Sequence, residues 1–359
     1  MRIAFYAPLK APTHPVPSGD REMARNLMSM LGAGGAEVVL ASELGTRDGT
    51  GDVATQKRLM SDAEDEVARL VATLPRDLAF WVSYHNYYKA PDLIGPKVAR
   101  QLGIPYILIE ASRARKRLTG PWADFARAAE SACDAAAIIF HPIFHDREAL
   151  ERDRPPGQIL QHLPPFLSRD HMPPPGSPEP GLMLSVGMMR PGDKLASYRV
   201  IAETLPALTA PHWRLEIAGS GPAGDTVRRL FDPFGPRVSF LGQLDRARLD
   251  AAYGRADLFV WPGVNEAYGM VYLEAQARGI PAVAQDRPGV CDVLAEGPHP
   301  PVQAGAAGLA LRCDWFLEDP ARRQAAGLDA RRTIEARHLQ PVAARIFWRA
   351  VEPVLERSA

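Results

Sequence analysis

The chain has 359 residues, a formal net charge of zero and three cysteines, which allows two domains of ordinary size. The balanced charge provides no general attraction to nucleic acid, and three scattered cysteines exclude a disulfide framework and a zinc cluster. No apolar run reaches the length of a membrane span, and the N-terminal MRIAFYAP is strand-like rather than a signal peptide. We therefore expect a cytoplasmic protein that contacts membranes only peripherally, at their inner face.

The first half of the chain alternates between short apolar runs and segments with helical periodicity. The strand-like runs are IAFYAP, EVVLAS, DLAFWVSYH, YILIEAS and AAIIFHP. The helical segments between them are REMARNLMSML, DAEDEVARLVATL, APDLIGPKVARQL and WADFARAAESA. This alternation predicts an α/β domain with a parallel, doubly wound sheet over residues 1–165.

A proline-rich segment over residues 166–180 separates this half from the next and predicts an extended linker. The strand pattern then restarts with LMLSVG, WRLEIAG, VSFLG, LFVWP, PAVAQ and GLAL, which predicts a second Rossmann-like domain over residues 181–338. Residues 339–359 predict a C-terminal helix whose candidate buried positions are Phe347, Trp348, Val351 and Leu355.

The segment 261–281, WPGVNEAYGMVYLEAQARGIP, carries the clearest chemical signal. LFVWP reads as a buried strand, EAYGM as a strand-to-helix turn, and YLEAQA as a helix that stops at Gly279. The backbone N–H groups of such a helix start bind a diphosphate, and Gly269 permits close approach. Glu266 at the turn and Glu274 in the helix then supply one carboxylate for sugar hydroxyls and one for a ribose diol.

The whole segment resembles the Glu-x7-Glu signature of the retaining family 4 glycosyltransferases, which have the GT-B fold. The resemblance implies two doubly wound Rossmann-like domains facing across a cleft, with a C-terminal helix that crosses back to the N-terminal domain. The sequence pattern alone fits a helix docked on the second domain equally well. It implies that Glu266 orients the donor sugar, that Glu274 binds the ribose, and that the backbone at Ala267, Tyr268, Gly269 and Met270 binds the diphosphate.

Further donor-binding residues follow from the same resemblance. Gly219, Ser220 and Gly221 correspond to a turn that lines the nucleotide pocket, and Gly242 to a turn near the base. Gly308, in GLAL, also lies where the family has a glycine.

The cations expected at the diphosphate match the family less well. Lys194 matches the family's phosphate-binding lysine. Met188 stands where the family has arginine, and Arg190, two residues later, is either a displaced substitute or a solvated side chain.

The N-terminal half matches less closely. Gly19 alone remains where the family has two glycines, so it is either a phosphate-approach glycine or an ordinary helix start. His85 ends the third strand, at the edge where parallel sheets bind ligands, so it is either a catalytic residue or a structural histidine. Glu110 replaces a family histidine, which indicates a cationic acceptor or a local ion pair with Arg113. The basic cluster around Arg113 suits an anionic acceptor or membrane surface, or is simply solvated.

These residues predict an enzyme that transfers a sugar, with retention, from a nucleoside-diphosphate sugar, expected to be a UDP-sugar, to a hydroxyl acceptor. The acceptor is a carbohydrate, a lipid-linked sugar or a small molecule, in polysaccharide or glycolipid assembly. We expect no cofactor, no metal and no nucleic acid partner. The alternative is a catalytically weak nucleotide-sugar-binding subunit that assists a partner transferase. A dehydrogenase is disfavoured because no Gly-x-Gly-x-x-Gly follows the first strand.

Overall fold

The structure, a computed structural model, describes residues 1–16, 18–295 and 297–358. It divides into two compact units. Unit 1 comprises Met1–Pro164 and Gln340–Ala359, and unit 2 comprises Pro165–Leu339.

Unit 1 is built on a six-stranded parallel sheet of order β2-β1-β3-β4-β5-β6. Its strands are β1 Arg2–Tyr6, β2 Glu37–Ser42, β3 Leu78–Asn86, β4 Tyr106–Ala111, β5 Ile138–His141 and β6 Ile159–His162. Its connecting helices are α1 Gly19–Ala33, α2 Val53–Thr73, α3 Gly95–Leu102, α4 Ala123–Ala135 and α5 Arg147–Arg152.

The central strands of unit 1 are apolar because helices cover both faces of a doubly wound sheet. Phe5, Trp81, Val82, Ile107 and Ile139 are all fully buried. The five strand-like runs of the first half are confirmed as β1 to β5. The sequence analysis missed β6 and α5, which are short elements of four and six residues.

Unit 2 contains a five-stranded parallel sheet of order β11-β10-β7-β8-β9. Its strands are β7 Leu182–Val186, β8 Arg214–Ala218, β9 Val238–Gly242, β10 Leu258–Val260 and β11 Ala282–Val283. Its helices are α6 Asp193–Thr204, α7 Gly224–Phe231, α8 Arg246–Arg255, α9 Met270–Ala277, α10 Gly305–Leu317 and α11 Pro320–Arg337.

The strand predicted for GLAL is wrong, because residues 308–311 lie within α10. The segment continues as LRCDWFL without a turn signal, so its length favours a helix. A four-residue apolar run cannot by itself distinguish a buried strand from a turn of buried helix.

The proline-rich segment is extended, as its composition predicts, but it is bonded to unit 2. Backbone N–H groups of Gly176, Ser177 and Glu179 donate to carbonyls of Arg278, Gly254 and Arg255 at 2.7–2.9 Å. The segment therefore forms part of the surface of unit 2 rather than a free connection.

The last helix, α12, spans Gln340–Ser358 and packs in unit 1, to which the chain returns after unit 2. The ring of Phe347 stacks on Phe140, with centroids 4.9 Å apart, and lies 6.3 Å from Phe80. Trp348 packs against the backbone of Gly34 so closely that a Cβ there would lie 1.9 Å from its indole nitrogen. Among the described residues, no helix has both the length and the hydropathy required to cross a membrane.

Candidate functional site

The predicted donor-binding residues of unit 2 lie at the carboxyl ends of β7, β8, β9 and β10, which share one edge of the sheet. The loop after β7 packs directly on the glycine turn after β8. A Cβ on Gly219 would lie 1.9 Å from the Gly187 carbonyl oxygen, and one on Gly221 would lie 2.4 Å from that of Met189. Both glycines have positive φ, 140° and 154°. Only glycine therefore lets these two loops meet.

Hydrogen bonds fix this pair of loops to the next strand. The Met189 N–H donates to the Ser220 carbonyl at 2.9 Å, and the Gly219 N–H donates to the Gly242 carbonyl at 2.8 Å. The Ser220 hydroxyl contacts Gln243 Oε1 at 3.2 Å. The predicted residues Gly219, Ser220 and Gly242 are thus part of one connected backbone surface.

Lys194 and Glu266 are brought together although they are 72 residues apart in the sequence. The Lys194 ammonium pairs with Glu266 Oε1, and the Trp261 indole N–H donates to the same oxygen at 3.0 Å. The ammonium also lies 5.3 Å from the Trp261 ring centroid, within the range of a cation–π contact. Lys194 is 30% exposed and Glu266 14% exposed. The lysine remains accessible to a ligand, while its carboxylate partner is mostly enclosed.

The two loops that carry this ion pair are held by further contacts. Asn265, which has a positive φ of 49°, donates from Nδ2 to Asp193 Oδ1 at 2.9 Å. The Val264 N–H donates to the Ser197 hydroxyl at 3.2 Å. These bonds connect the start of α6 to the loop after β10.

Arg190 and Met188 lie in the loop after β7. Arg190 is exposed and Met188 is half-buried. The Arg190 carbonyl accepts from the Leu195 N–H at 3.1 Å, which keeps the arginine just before α6. Its position agrees with both interpretations of Arg190, as a displaced phosphate-binding arginine and as a solvated side chain.

The turn into α9 combines a glycine of positive φ with backbone N–H groups that lack an acceptor among the described residues. Gly269 precedes the helix with φ 74°, and a Cβ there would lie 2.8 Å from the ring of Tyr272. In the part of the chain that the structure describes, no carbonyl accepts a hydrogen bond from the N–H groups of Ala267, Gly269 or Met270. Tyr268, between them, is largely buried. Unpaired amides and the helix dipole together favour an anion at this turn.

Glu274 lies one turn into α9 and is bound by a buried phenol. The Tyr253 hydroxyl donates to Glu274 Oε2 at 2.9 Å. Burial raises the pKa of Glu274, and the Tyr253 hydrogen bond and the Arg246 charge oppose that rise. The carboxylate therefore has one oxygen fixed by Tyr253, which leaves Oε1 for another donor.

In unit 1, His85 and Glu110 lie at the carboxyl ends of β3 and β4, as their sequence positions predict. Both have positive φ, 68° and 60°, which is uncommon for residues with a side chain. His85 Nδ1 lies 3.3 Å from Asp20 Oδ1 and 3.7 Å from Glu110 Oε1. Burial alone would lower the pKa of His85, but Glu110 and Asp20 raise it, so a charged imidazole is favoured.

Gly19 and Arg113 have local structural explanations. Gly19 is the first residue of α1, behind the Ser18 cap, and a Cβ there would meet open space. The expected Glu110–Arg113 ion pair is not formed. Arg113 instead binds Glu130 and Asp134, each at 2.7 Å, and its side chain is only 2% exposed. Carboxylates on α4 are better placed for Arg113 than Glu110, which turns toward His85.

A cavity of about 680 Å³ lies in unit 1 beside the amino end of β4. It is lined by residues of α3, α4 and the segment before β6, including Arg100, Tyr106 and Gln158. None of the predicted site residues lines it, because they follow the opposite, carboxyl ends of the strands.

The sequence analysis missed three functional candidates, namely Trp261, Tyr253 and Asp20. Trp261 was read only as the end of a strand, although the tryptophan of WPGVNE lies five residues before Glu266. Tyr253 lies on α8 and Asp20 on α1, each distant in sequence from the residue it binds. The sequence provides no signal for such pairs without the fold.

Residues 181–319 match the family model described as Glycosyl transferases group 1. The chain is 29% identical over 194 residues to sulfoquinovosyl transferase SQD2 of Arabidopsis thaliana, a match that covers 48% of this chain and 36% of that protein. It is 32% identical over 146 residues to a GDP-mannose-dependent monoacylated alpha-(1-6)-phosphatidylinositol monomannoside mannosyltransferase of Corynebacterium glutamicum, with 38% of each chain covered. The chain thus spans less than two fifths of the length of these relatives.

The structure resembles that of HepE from Anabaena in complex with UDP, with a TM-score of 0.73 and 15% sequence identity. The match covers 98% of this chain and 100% of HepE, and at that identity it establishes the fold alone. The chain therefore has the two-sheet GT-B fold, and its residues 181–319 match the group 1 glycosyl transferase family.

Proposed function

We propose that the protein transfers a sugar from a nucleoside-diphosphate sugar to a hydroxyl acceptor, with retention at the anomeric carbon. The observation that carries the proposal is the Lys194–Glu266 pair beside the unpaired amides of the turn into α9. It supplies a cation, hydrogen-bond donors and a carboxylate on one loop system, which is what a departing diphosphate and a sugar require.

Each group has a role that follows from its chemistry. Lys194 and the amides of Ala267, Gly269 and Met270 stabilise the negative charge that develops on the leaving diphosphate. Glu266 accepts hydrogen bonds from sugar hydroxyls, and Glu274 accepts them from the ribose through the oxygen that Tyr253 leaves open. A phosphate oxygen of the leaving group accepts the acceptor proton, so no side-chain nucleophile and no metal is required.

The donor base and the acceptor are proposed from the names of similar proteins and from the family resemblance. The Corynebacterium relative is named for GDP-mannose and HepE was solved with UDP, so the two point to different bases. We propose a UDP-sugar that carries a hexose, as the resemblance to family 4 implies. The name of the Corynebacterium relative includes a phosphatidylinositol monomannoside, and we propose an acceptor in glycolipid or polysaccharide assembly.

Thermal unfolding with UDP, GDP and ADP, each alone, tests the site. A nucleotide at about one hundred times its Kd should stabilise the protein by about 2.7 kcal/mol, which raises Tm by several degrees. We expect one base to give the shift and Glu274→Ala to reduce it, because a hydrogen bond to a carboxylate contributes about 1.5–3 kcal/mol.

The matched control is Glu335→Ala, which removes an exposed glutamate from helix α11 of the same unit. This variant should keep the full nucleotide shift. A wild-type protein that responds to no nucleotide, or an equal shift in both variants, would contradict the assignment.

A further inference from the structure

Three cations of unit 1 are distinct from the site described above. Arg47 follows β2, Lys89 follows β3 and Arg117 follows β4. Because the carboxyl ends of parallel strands share one edge, the fold brings these three loops to the same side of the sheet. Loop contacts agree, since the Asp48 N–H donates to the Lys89 carbonyl at 2.9 Å.

The three side chains converge on the consecutive residues Tyr87 and Tyr88. The Arg117 guanidinium carbon lies 5.1 Å, and the Lys89 ammonium 5.7 Å, from the Tyr88 ring centroid. Arg47 lies near Tyr87, where its charge opposes the rise that burial causes in the pKa of the Tyr87 hydroxyl. The rings of Tyr87 and Tyr88 are 5.8 Å apart. The result is a small aromatic surface edged by three positive charges.

The three cations differ from others nearby in forming no ion pair with a described carboxylate. Other cations of the same loop lie in ion pairs, namely Arg113 with Glu130 and Asp134, and Arg115 with Asp153. Within the described residues, by contrast, none of Arg47, Lys89 and Arg117 is in an ion pair. The Nε of Arg117 is buried and has no hydrogen-bond partner there. Arg47 is exposed and the other two are half-buried, so an incoming anion can reach them.

We propose that Arg47, Lys89 and Arg117, with the Tyr88 ring, form a subsite for a phosphate group carried by the acceptor. A guanidinium binds phosphate oxygens in a two-pronged geometry, and an ammonium adds a point charge. The aromatic ring offers a face for a sugar or an alkyl chain attached to that phosphate. The assignment of the phosphate to the acceptor rests on the proposed function, whereas anion binding itself does not require it.

The test uses the full chain and two phosphate sources. Calorimetry at low ionic strength compares glucose 6-phosphate with glucose, and sedimentation compares phosphatidylglycerol vesicles with phosphatidylcholine vesicles. We expect binding of at least one phosphate ligand over its neutral counterpart. The Lys89→Gln/Arg117→Gln double variant should weaken it about tenfold or more, since two charge-assisted contacts are lost.

Two further variants keep the result interpretable. Arg47→Gln changes an exposed side chain, so it should fold normally and still weaken phosphate binding. Lys57→Gln/Arg248→Gln removes the same two charge types from exposed positions elsewhere and should bind phosphate like the wild type.

Equal affinity in the wild type and in the double variant would overturn the proposal, as would equal binding of every phosphate ligand and its neutral counterpart. Preference for glucose 6-phosphate indicates a soluble sugar phosphate, and preference for phosphatidylglycerol a lipid headgroup. The nucleotide shift is measured on the same samples. Its absence alongside retained phosphate binding would count against the proposed function and leave the phosphate subsite in place.

Discussion

The carboxyl edges of the two sheets handle charge differently. In unit 2, Lys194 is paired with Glu266, and Glu274 is bound by the neutral Tyr253. In unit 1, carboxylates gather on His85, while Arg47 and its two companion cations lack an ion pair among the described residues. In unit 2 the charged site residues already have partners within the protein. In unit 1 three cations have no ion-pair partner among the described residues. This difference agrees with the proposal that unit 2 binds the donor and unit 1 the acceptor.

The largest expected effect comes from Lys194→Ala, which would break the preorganised edge. The variant removes the cation proposed to stabilise the leaving diphosphate, and among the described residues it leaves the Glu266 carboxylate with the Trp261 N–H as its side-chain donor. We expect turnover to fall about 10²–10³-fold, the usual result of deleting one such group. The measurement is release of nucleoside diphosphate from the donor whose base stabilises the protein.

Lys57→Ala, at an exposed position of α2, is the matched control and should keep wild-type turnover. Nucleotide binding should change little in Lys194→Ala. Unchanged turnover in Lys194→Ala would show that the protein binds nucleotide sugars without using this lysine in transfer.

The two edges also differ in how closely their glycines are packed. Gly219→Ala places a Cβ against the Gly187 carbonyl and forces a positive φ on alanine, whereas Gly19→Ala meets open space. We expect Gly219→Ala to destabilise the protein by about 1–3 kcal/mol, which lowers Tm by several degrees. Gly19→Ala, in a helix, should stabilise it by about 0.5–1 kcal/mol. Denaturant unfolding of the two variants measures both effects, and equal stabilities would show that the loop contact is not restrictive.

The smallest effect concerns pH and His85. Its raised pKa means that the charged imidazole stabilises the folded state below the ordinary value of 6.5, and that this contribution is lost as the pH rises through the folded-state value. The Tm of the wild type should therefore exceed that of His85→Gln most at pH 6 or below, and the difference should narrow toward pH 8. His171→Gln, at an exposed position, is the control and should follow the wild-type curve. A pH-independent difference would mean that His85 contributes packing rather than charge.

The sequence predicted the parallel α/β fold and the turn around Glu266 because both depend on local patterns. Strand–helix alternation and a glycine before a helix are written in consecutive residues, so β1 to β5 and the start of α9 were predictable. GLAL failed because four apolar residues fit two structures. For the Pro-rich segment, composition predicts the extended backbone but not the carbonyls of Gly254 and Arg278 that accept its hydrogen bonds.

The sequence did not predict which residues contact the site residues, for a different reason. Tyr253 lies on a different helix from Glu274, and Asp20 lies 65 positions before His85 in the sequence. Such contacts depend on how helices pack on the sheet, which no local pattern encodes. Arg113 shows the converse, since a basic run suggested an exposed cluster and the fold buries its first member against Glu130.

The return of α12 to unit 1 affects how the protein is made. During synthesis Phe80 and Phe140 leave the ribosome long before Phe347, which covers them, because all of unit 2 is translated in between. When unit 2 has been fully translated, unit 1 still lacks α12, and the part of its core that α12 covers is exposed to water. A premature stop between residues 165 and 339 would remove α12 and so leave unit 1 incomplete as well as unit 2. Folding of the N-terminal residues therefore depends on translation reaching the C-terminal helix.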